Sequence, residues 1–260
     1  MKFKNFTSSL LLLFIILVPL LNGCQKGDED PFFSIYSRKA RVVGDWVVNY
    51  YKSDVKTISG IEGTDQIRTL VEVNALNWEE NVYILGTDSV RETKGKITVD
   101  NNGRARFNYN FNSNGIMTSI YEYQVIEEVS DEDMGTDTTI TTTIKIEYSG
   151  TWNFLAGVDD YKNKERLALV IQEEKYLKIV TKYTVQEDDE YGGVTTTTRE
   201  AYTKRFANGE MSTIWVLRML KNKEMIMDQN VNDLYVVTDI NGTGTSISQV
   251  GTRTQTLQLD

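Results

Sequence analysis

Arg104-Ala105-Arg106-Phe107-Asn108-Tyr109-Asn110-Phe111 alternates strictly, with apolar side chains at odd positions and polar ones at even positions. A period of two sorts side chains onto the two faces of a strand, whereas a helix would scatter them around its circumference. The same period governs 139–148, where Ile140, Ile144, Ile146 and Tyr148 share one face with Thr142. Thr139, Thr141, Thr143, Lys145 and Glu147 take the other. These stretches read as half-buried strands and set the expectation of an all-β domain.

Working outward, the turns are legible. Asn101-Asn102-Gly103 separates 96–100 from 104–111, and Lys221-Asn222-Lys223-Glu224 separates 213–220 from 225–228. Asn and Gly accept the positive φ of tight hairpins. Thr, Tyr, Val and Ile are abundant, and proline occurs only at Pro19 and Pro31, a composition that suits strands. Successive hairpins predict an antiparallel meander.

Two longer hairpins repeat a design. Residues 117–129 return through 138–148 after a tip at 130–137, and residues 176–186 return through 194–206 after a tip at 187–193. Both tips are acidic, and both return strands open with threonines. A Trp-bearing strand is expected after each (Trp152 and Trp215), then the identical Lys-Asn-Lys-Glu at 162–165 and 221–224. An internal duplication and chance similarity of Thr-rich hairpins fit this pattern equally. One short N-terminal helix is expected over 33–43, stopped by Gly44. The segment 234–260, rich in Thr, Ser, Gly and Gln, fits either an edge strand or a loose end.

The start of the chain has a different character. Lys2 and Lys4 precede an apolar run at 10–21 that contains Pro19. The run is shorter than the roughly 20 residues a spanning helix needs, so residues 1–23 read as a secretory signal. Leu21-Asn22-Gly23-Cys24 resembles the lipobox of bacterial lipoproteins, with Leu21 and the small Gly23 flanking the cleaved bond. Cys24 is the only cysteine in the chain, and a thiolate is the strongest side-chain nucleophile available to accept a lipid group. The resemblance implies that Cys24 carries the acyl chains, several of which hold a protein stably on a bilayer. Residues 24–33 then form a tether. Within it Asp28-Glu29-Asp30 resembles the surface-export signal of Bacteroidetes lipoproteins, which implies an outer-membrane protein facing the cell exterior. A solvated acidic tether is the plainer alternative.

Composition excludes several classes. Setting aside Lys2 and Lys4 leaves 26 basic residues against 37 acidic ones, a net of −11 for residues 24–260. That argues against a nucleic-acid partner. There are no histidines, which removes Ser-His-Asp and Cys-His pairs and His-ligated zinc. No cofactor and no metal are expected. Asp131, Asp133 and Asp137 around Gly135 lack the terminal Glu of a calcium loop and read as a solvated turn, as do Glu187, Asp188, Asp189 and Glu190. Glu79-Glu80 and Glu127-Glu128 are adjacent pairs, so on strands their side chains point to opposite faces and make poor acid–base partners.

Gly44-Asp45-Trp46 follows the short helix and opens a strand. That helix, the G-x-W and the stretch 38–46 resemble the lipocalin superfamily, and more closely the lipocalin-like lipoproteins of Bacteroidetes. The stretches 149–154 and 214–217 are similar to their later strands. The resemblance implies a lipocalin-like β-barrel over 34–260, or an open barrel or sandwich if extra strands intrude, with Gly44 and Trp46 closing one end. The family packs an arginine from a late strand across that tryptophan. Arg218 is the nearest match, but alternation with Trp215 and Leu217 puts it on the wrong face. Among the strand aromatics, Tyr109, Tyr121, Tyr123, Trp152 and Trp215 are the candidates to face a ligand, with core packing as the plainer role of each.

The expected function is a surface-anchored, non-enzymatic lipoprotein that binds a small hydrophobic or glycan ligand in its barrel. The alternative is a structural or interaction protein of the envelope with no ligand site. A carboxylate-based glycan hydrolase is the third possibility, requiring two acids across one cleft.

Overall fold

The computed structural model describes residues 38–59, 65–131, 135–155, 165–186, 192–207, 209, 211–221, 223–238 and 244–260. The signal, the lipobox and the tether lie outside these residues, as do Asp133 and 187–190. The described chain is one short helix, α1 (Arg38–Val42), followed by twelve antiparallel strands. These are β1 (Gly44–Ser59), β2 (Asp65–Asn74), β3 (Asn77–Ile84), β4 (Val90–Ile97), β5 (Phe107–Phe111) and β6 (Ile116–Asp131). They continue with β7 (Thr136–Leu155), β8 (Glu165–Gln186), β9 (Val194–Arg205), β10 (Met211–Leu220), β11 (Glu224–Thr238) and β12 (Gly244–Leu259).

The alternating stretches form strands as their period requires. Phe107 and Phe111 of β5 are buried between β1 and β6. The turn before β5 is set by Asp100, whose Oδ1 accepts the backbone N–H of Asn102 and Arg104, with Gly103 at φ 79°.

Hydrogen bonding closes the sheet at one end. The lower part of β1 pairs β5, β5 pairs β6, β6 pairs β7 and β7 pairs β8. Residues 165–171 of β8 pair β10, which leads through β11 and β12 back to β1. Eight strands thus make a complete ring at the level of Trp46, which we call the floor. Higher up, β2, β3 and β4 run between β1 and β6 in place of β5, and β9 replaces β10 beside β8. Ten strands stand at that level, and no pairing among the described residues joins β9 to β11. The result is a barrel closed at its floor, with a seam along one side. The extra strands neither flank the barrel nor turn it into a sandwich; they stand in the same wall above the floor.

The floor is tightly packed. Trp46 is fully buried and donates its indole N–H to the Val42 carbonyl at 2.7 Å. Arg41 Nη1 donates to the Leu220 carbonyl at the end of β10. Lys39 Nζ lies 5.7 Å from the Trp152 ring centre. The helix therefore lies over the floor, tied to β1, β7 and β10. At Gly44, with φ 149°, an added Cβ would sit 2.5 Å from Leu259 Cδ1, so this position accommodates glycine alone without rearrangement. Among the described residues Arg41 of α1 is the buried arginine that hydrogen-bonds across this end. Arg218 is half exposed on the outer face, 3.6 Å from Asp228, as alternation predicts.

Two sequence expectations are corrected. Trp152 is not on a strand after the first long hairpin: β7 runs unbroken from Thr136 through Trp152 to Leu155. In the second hairpin the return does break, so that β9 and β10 descend in succession along one strand, β8. The segment 234–260 is neither edge nor loose end. It completes β11 and supplies β12, which is hydrogen-bonded on both sides, by β1 and β11.

Candidate functional site

Inward-facing side chains above the floor leave a cavity of about 390 Å³, within the usual size range for small-molecule sites. Its wall is mainly aromatic and aliphatic. Trp78 of β3 stacks on Tyr123 of β6, with ring centres 4.2 Å apart and planes 18° from parallel. Tyr121 continues this row to Phe107 at 4.7 Å, and Phe107 meets Tyr51 edge-on at 5.6 Å. Tyr148, Leu169, Ile171 and Trp215 form the wall toward β7, β8 and β10. Offset-stacked and edge-to-face contacts of this kind fix ring orientations that burial alone would leave loose.

Four of the five aromatics expected to face a ligand line this cavity: Tyr109, Tyr121, Tyr123 and Trp215. Trp152 does not. It lies at the floor, where its indole N–H donates to the Asn112 carbonyl at 3.1 Å and its ring meets Phe111 edge-on. Its role there is packing. Tyr51, Trp78 and Phe107 complete the wall and were not among the sequence candidates. For Tyr51 the reason is a bulge. Pairing with β12 slips by one residue between Val48 and Tyr50, so Asn49 is the extra residue and Tyr51, not Tyr50, turns inward.

Burial shapes the chemistry of the phenols. Tyr109 and Tyr123 are each pushed up to about 12 by removal from water. Desolvation also raises Tyr121 and Tyr148; repulsion adds to it from Tyr123, Tyr51 and Glu80 at Tyr121, and from Glu174 and Tyr109 at Tyr148. All four are neutral at ordinary pH and act as hydrogen-bond donors or acceptors rather than bases.

Polar groups gather on one side of the wall. Tyr109 donates its hydroxyl to Gln255 Oε1 at 3.4 Å, and Arg253 Nη1 donates to Gln229 Oε1 at 3.2 Å. Gln229 and Gln255 are both buried. Met211, Thr213 and Trp215 of β10 and Gln229 of β11 stand on the two sides of the seam, and all four line the cavity. Among the lining residues Glu80 is the one acid, while Glu79 lines a separate outer groove with Lys94 and Lys96. The adjacent pair does diverge to opposite faces of its strand.

The cavity therefore offers apolar surface, fixed rings and a few directed polar groups. Comparison with models of protein families and with curated protein sequences gives no match to this chain.

Proposed function

We propose that this chain is a non-enzymatic lipoprotein, held on the outer face of the outer membrane by acyl chains on Cys24, that binds a small hydrophobic or glycan ligand inside its barrel. The observation that carries the binding claim is the cavity of about 390 Å³ with its stacked Trp78–Tyr123 pair and adjoining tyrosines. Rings oriented in this way offer flat apolar faces to a ligand, while the nearby Gln, Tyr and Arg groups direct its polar end. The tethering claim rests on the lone Cys24 in its Leu-Asn-Gly-Cys setting, which resembles a lipobox, and the display claim on Asp28-Glu29-Asp30 behind it. The G-x-W start, now seen with Trp46 at the floor, is what the resemblance to lipocalin-like lipoproteins leads one to expect.

Native mass spectrometry of the protein purified from its own host tests the binding claim. A bound small molecule that is displaced when Tyr121→Ala and Trp78→Ala enlarge and blunt the cavity is the expected result. Repeated recovery of the folded protein free of any small molecule, together with failure to bind apolar fluorophores, would sink it and favour an envelope scaffold.

A further inference from the structure

The cavity wall carries one cation, Arg253, which is partly buried. Arg253 lies on β12, paired across to Ser53 of β1 and Gln229 of β11. Its Nε is buried and has no hydrogen-bond partner, and it makes no ion pair among the described residues. Gln229 engages Nη1 with a neutral carbonyl. A guanidinium partly withdrawn from water, with a buried donor left without a partner and no carboxylate beside it, is a favourable place for an anion to dock. Beside it, Gln255 is fully buried with its Nε2 also lacking a partner, while its Oε1 is held by Tyr109. Two unanswered donors thus lie close together at this part of the barrel.

The one acid in the wall does not answer them. Glu80 shares a lateral row with Arg253, through the register Arg253–Ser53–Val71–Glu80. Three strand spacings separate them, about 14 Å along the sheet. Glu80 stands instead by the Trp78–Tyr123 stack, where it repels negative charge.

Resting on the reading of the cavity as a ligand site, we propose that its ligand is an anionic amphiphile. The head group, a carboxylate or sulfonate, docks on Arg253, and the apolar body lies along the wall of aromatic rings. With Nη1 occupied by Gln229, the Nε–Nη2 edge remains, the side on which a guanidinium takes a carboxylate in two parallel bonds. Glu80 at the far side sets the polarity by disfavouring the reversed pose. The chain's net negative charge works against anions in general, so a preference for them would have to arise locally.

The test uses the purified full-length chain and two fluorophores with the same ring body, anionic 8-anilino-1-naphthalenesulfonate and neutral N-phenyl-1-naphthylamine. Arg253→Gln should weaken the sulfonate at least tenfold and change the neutral probe less than twofold, and Arg253→Lys should restore part of the loss. Independently of any variant, dodecanoate should displace the neutral probe from the wild-type chain at a tenth or less of the concentration of dodecylamine. Equal displacement by the two, or a sulfonate affinity untouched by Arg253→Gln, overturns the head-group assignment and leaves the cavity reading intact. Failure of the wild-type chain to bind either fluorophore overturns both.

Discussion

At the residue scale the inward tyrosines tie stability to pH. Tyr109, half-buried in the cavity wall, holds its proton up to about 12, against an ordinary value of 10.0. Below pH 10 both folded and unfolded chains keep the proton and the stabilisation is complete. Between roughly 10 and 12 the unfolded chain ionises first, so stability falls, and it is lost as the pH passes the folded value. Urea midpoints should therefore drop across that window, by about 2–3 kcal/mol from Tyr109 alone, with tyrosinate absorbance in the folded protein lagging that of the unfolded chain. Gly150 is a second sensitive position. A Cβ there would fall 2.0 Å from the Val170 carbonyl oxygen, a backbone atom that cannot swing aside. Gly150→Ala should cost at least about 2 kcal/mol in a denaturant titration. Ala75 is the opposite case. It turns the chain between β2 and β3 at φ 52°, a conformation that costs a side-chain-bearing residue about 1 kcal/mol. Ala75→Gly should raise the stability read from a urea titration by about 0.5–1 kcal/mol.

Those positions also show how far the site could be read from sequence. Tyr109, Tyr121 and Tyr123 were legible because each sits on a run of unbroken alternation. Tyr51 was not, because one extra residue at Asn49 reverses the parity of β1 and nothing in the local residue types marks it. Trp78 was hidden by its turn: Ala75-Leu76 carries no Gly or Asn at the strained position, so the β2–β3 hairpin gave no punctuation. Arg253, in a Thr- and Gln-rich stretch with weak apolar alternation, gained meaning only once its partners across β1 and β11 were known.

At the element scale the two long hairpins differ in a way that residue types foretold only in part. Their acidic tips and Thr-rich returns were visible, whereas the places of the tryptophans were not: Trp152 packs at the floor and Trp215 lines the cavity. That one return is continuous and the other broken depends on partner strands far away in the chain. Both copies of Lys-Asn-Lys-Glu end on a glutamate that opens the next strand, Glu165 of β8 and Glu224 of β11. β9 is the element with least support: it pairs only β8, and every one of its residues is exposed. Its stacked Tyr176–Tyr202 contact, 4.9 Å between ring centres, joins it to β8 rather than to the core. Hydrogen exchange should show the amides of β9 opening about 100-fold faster than those of β7, which is paired on both sides. Equal protection of the two would mean that the seam is covered.

At the scale of the whole molecule, the all-β meander was legible from composition and period, while the barrel was expected only through the resemblance carried by Gly44-Asp45-Trp46. Ring closure depends on β12 meeting β1 across some two hundred residues, a pairing that no local pattern announces. Attachment to a membrane belongs to this scale too. Cys24→Ser should abolish metabolic labelling with a fatty acid and release the chain from the membrane fraction, with the far-ultraviolet spectrum of its strands unchanged. A serine variant that still takes the label would remove the tether from the proposal.

The change from eight strands to ten has a directional meaning. The eight-strand ring is stoppered by Trp46 and the α1 turn, while the ten-strand level above it is left open along the seam. The first described residue, Arg38, lies at that stopper, at the end opposite the ten-strand rim. On the proposed tethering through Cys24, the open rim would face away from the bilayer, and the proposed ligand would reach the cavity from that side.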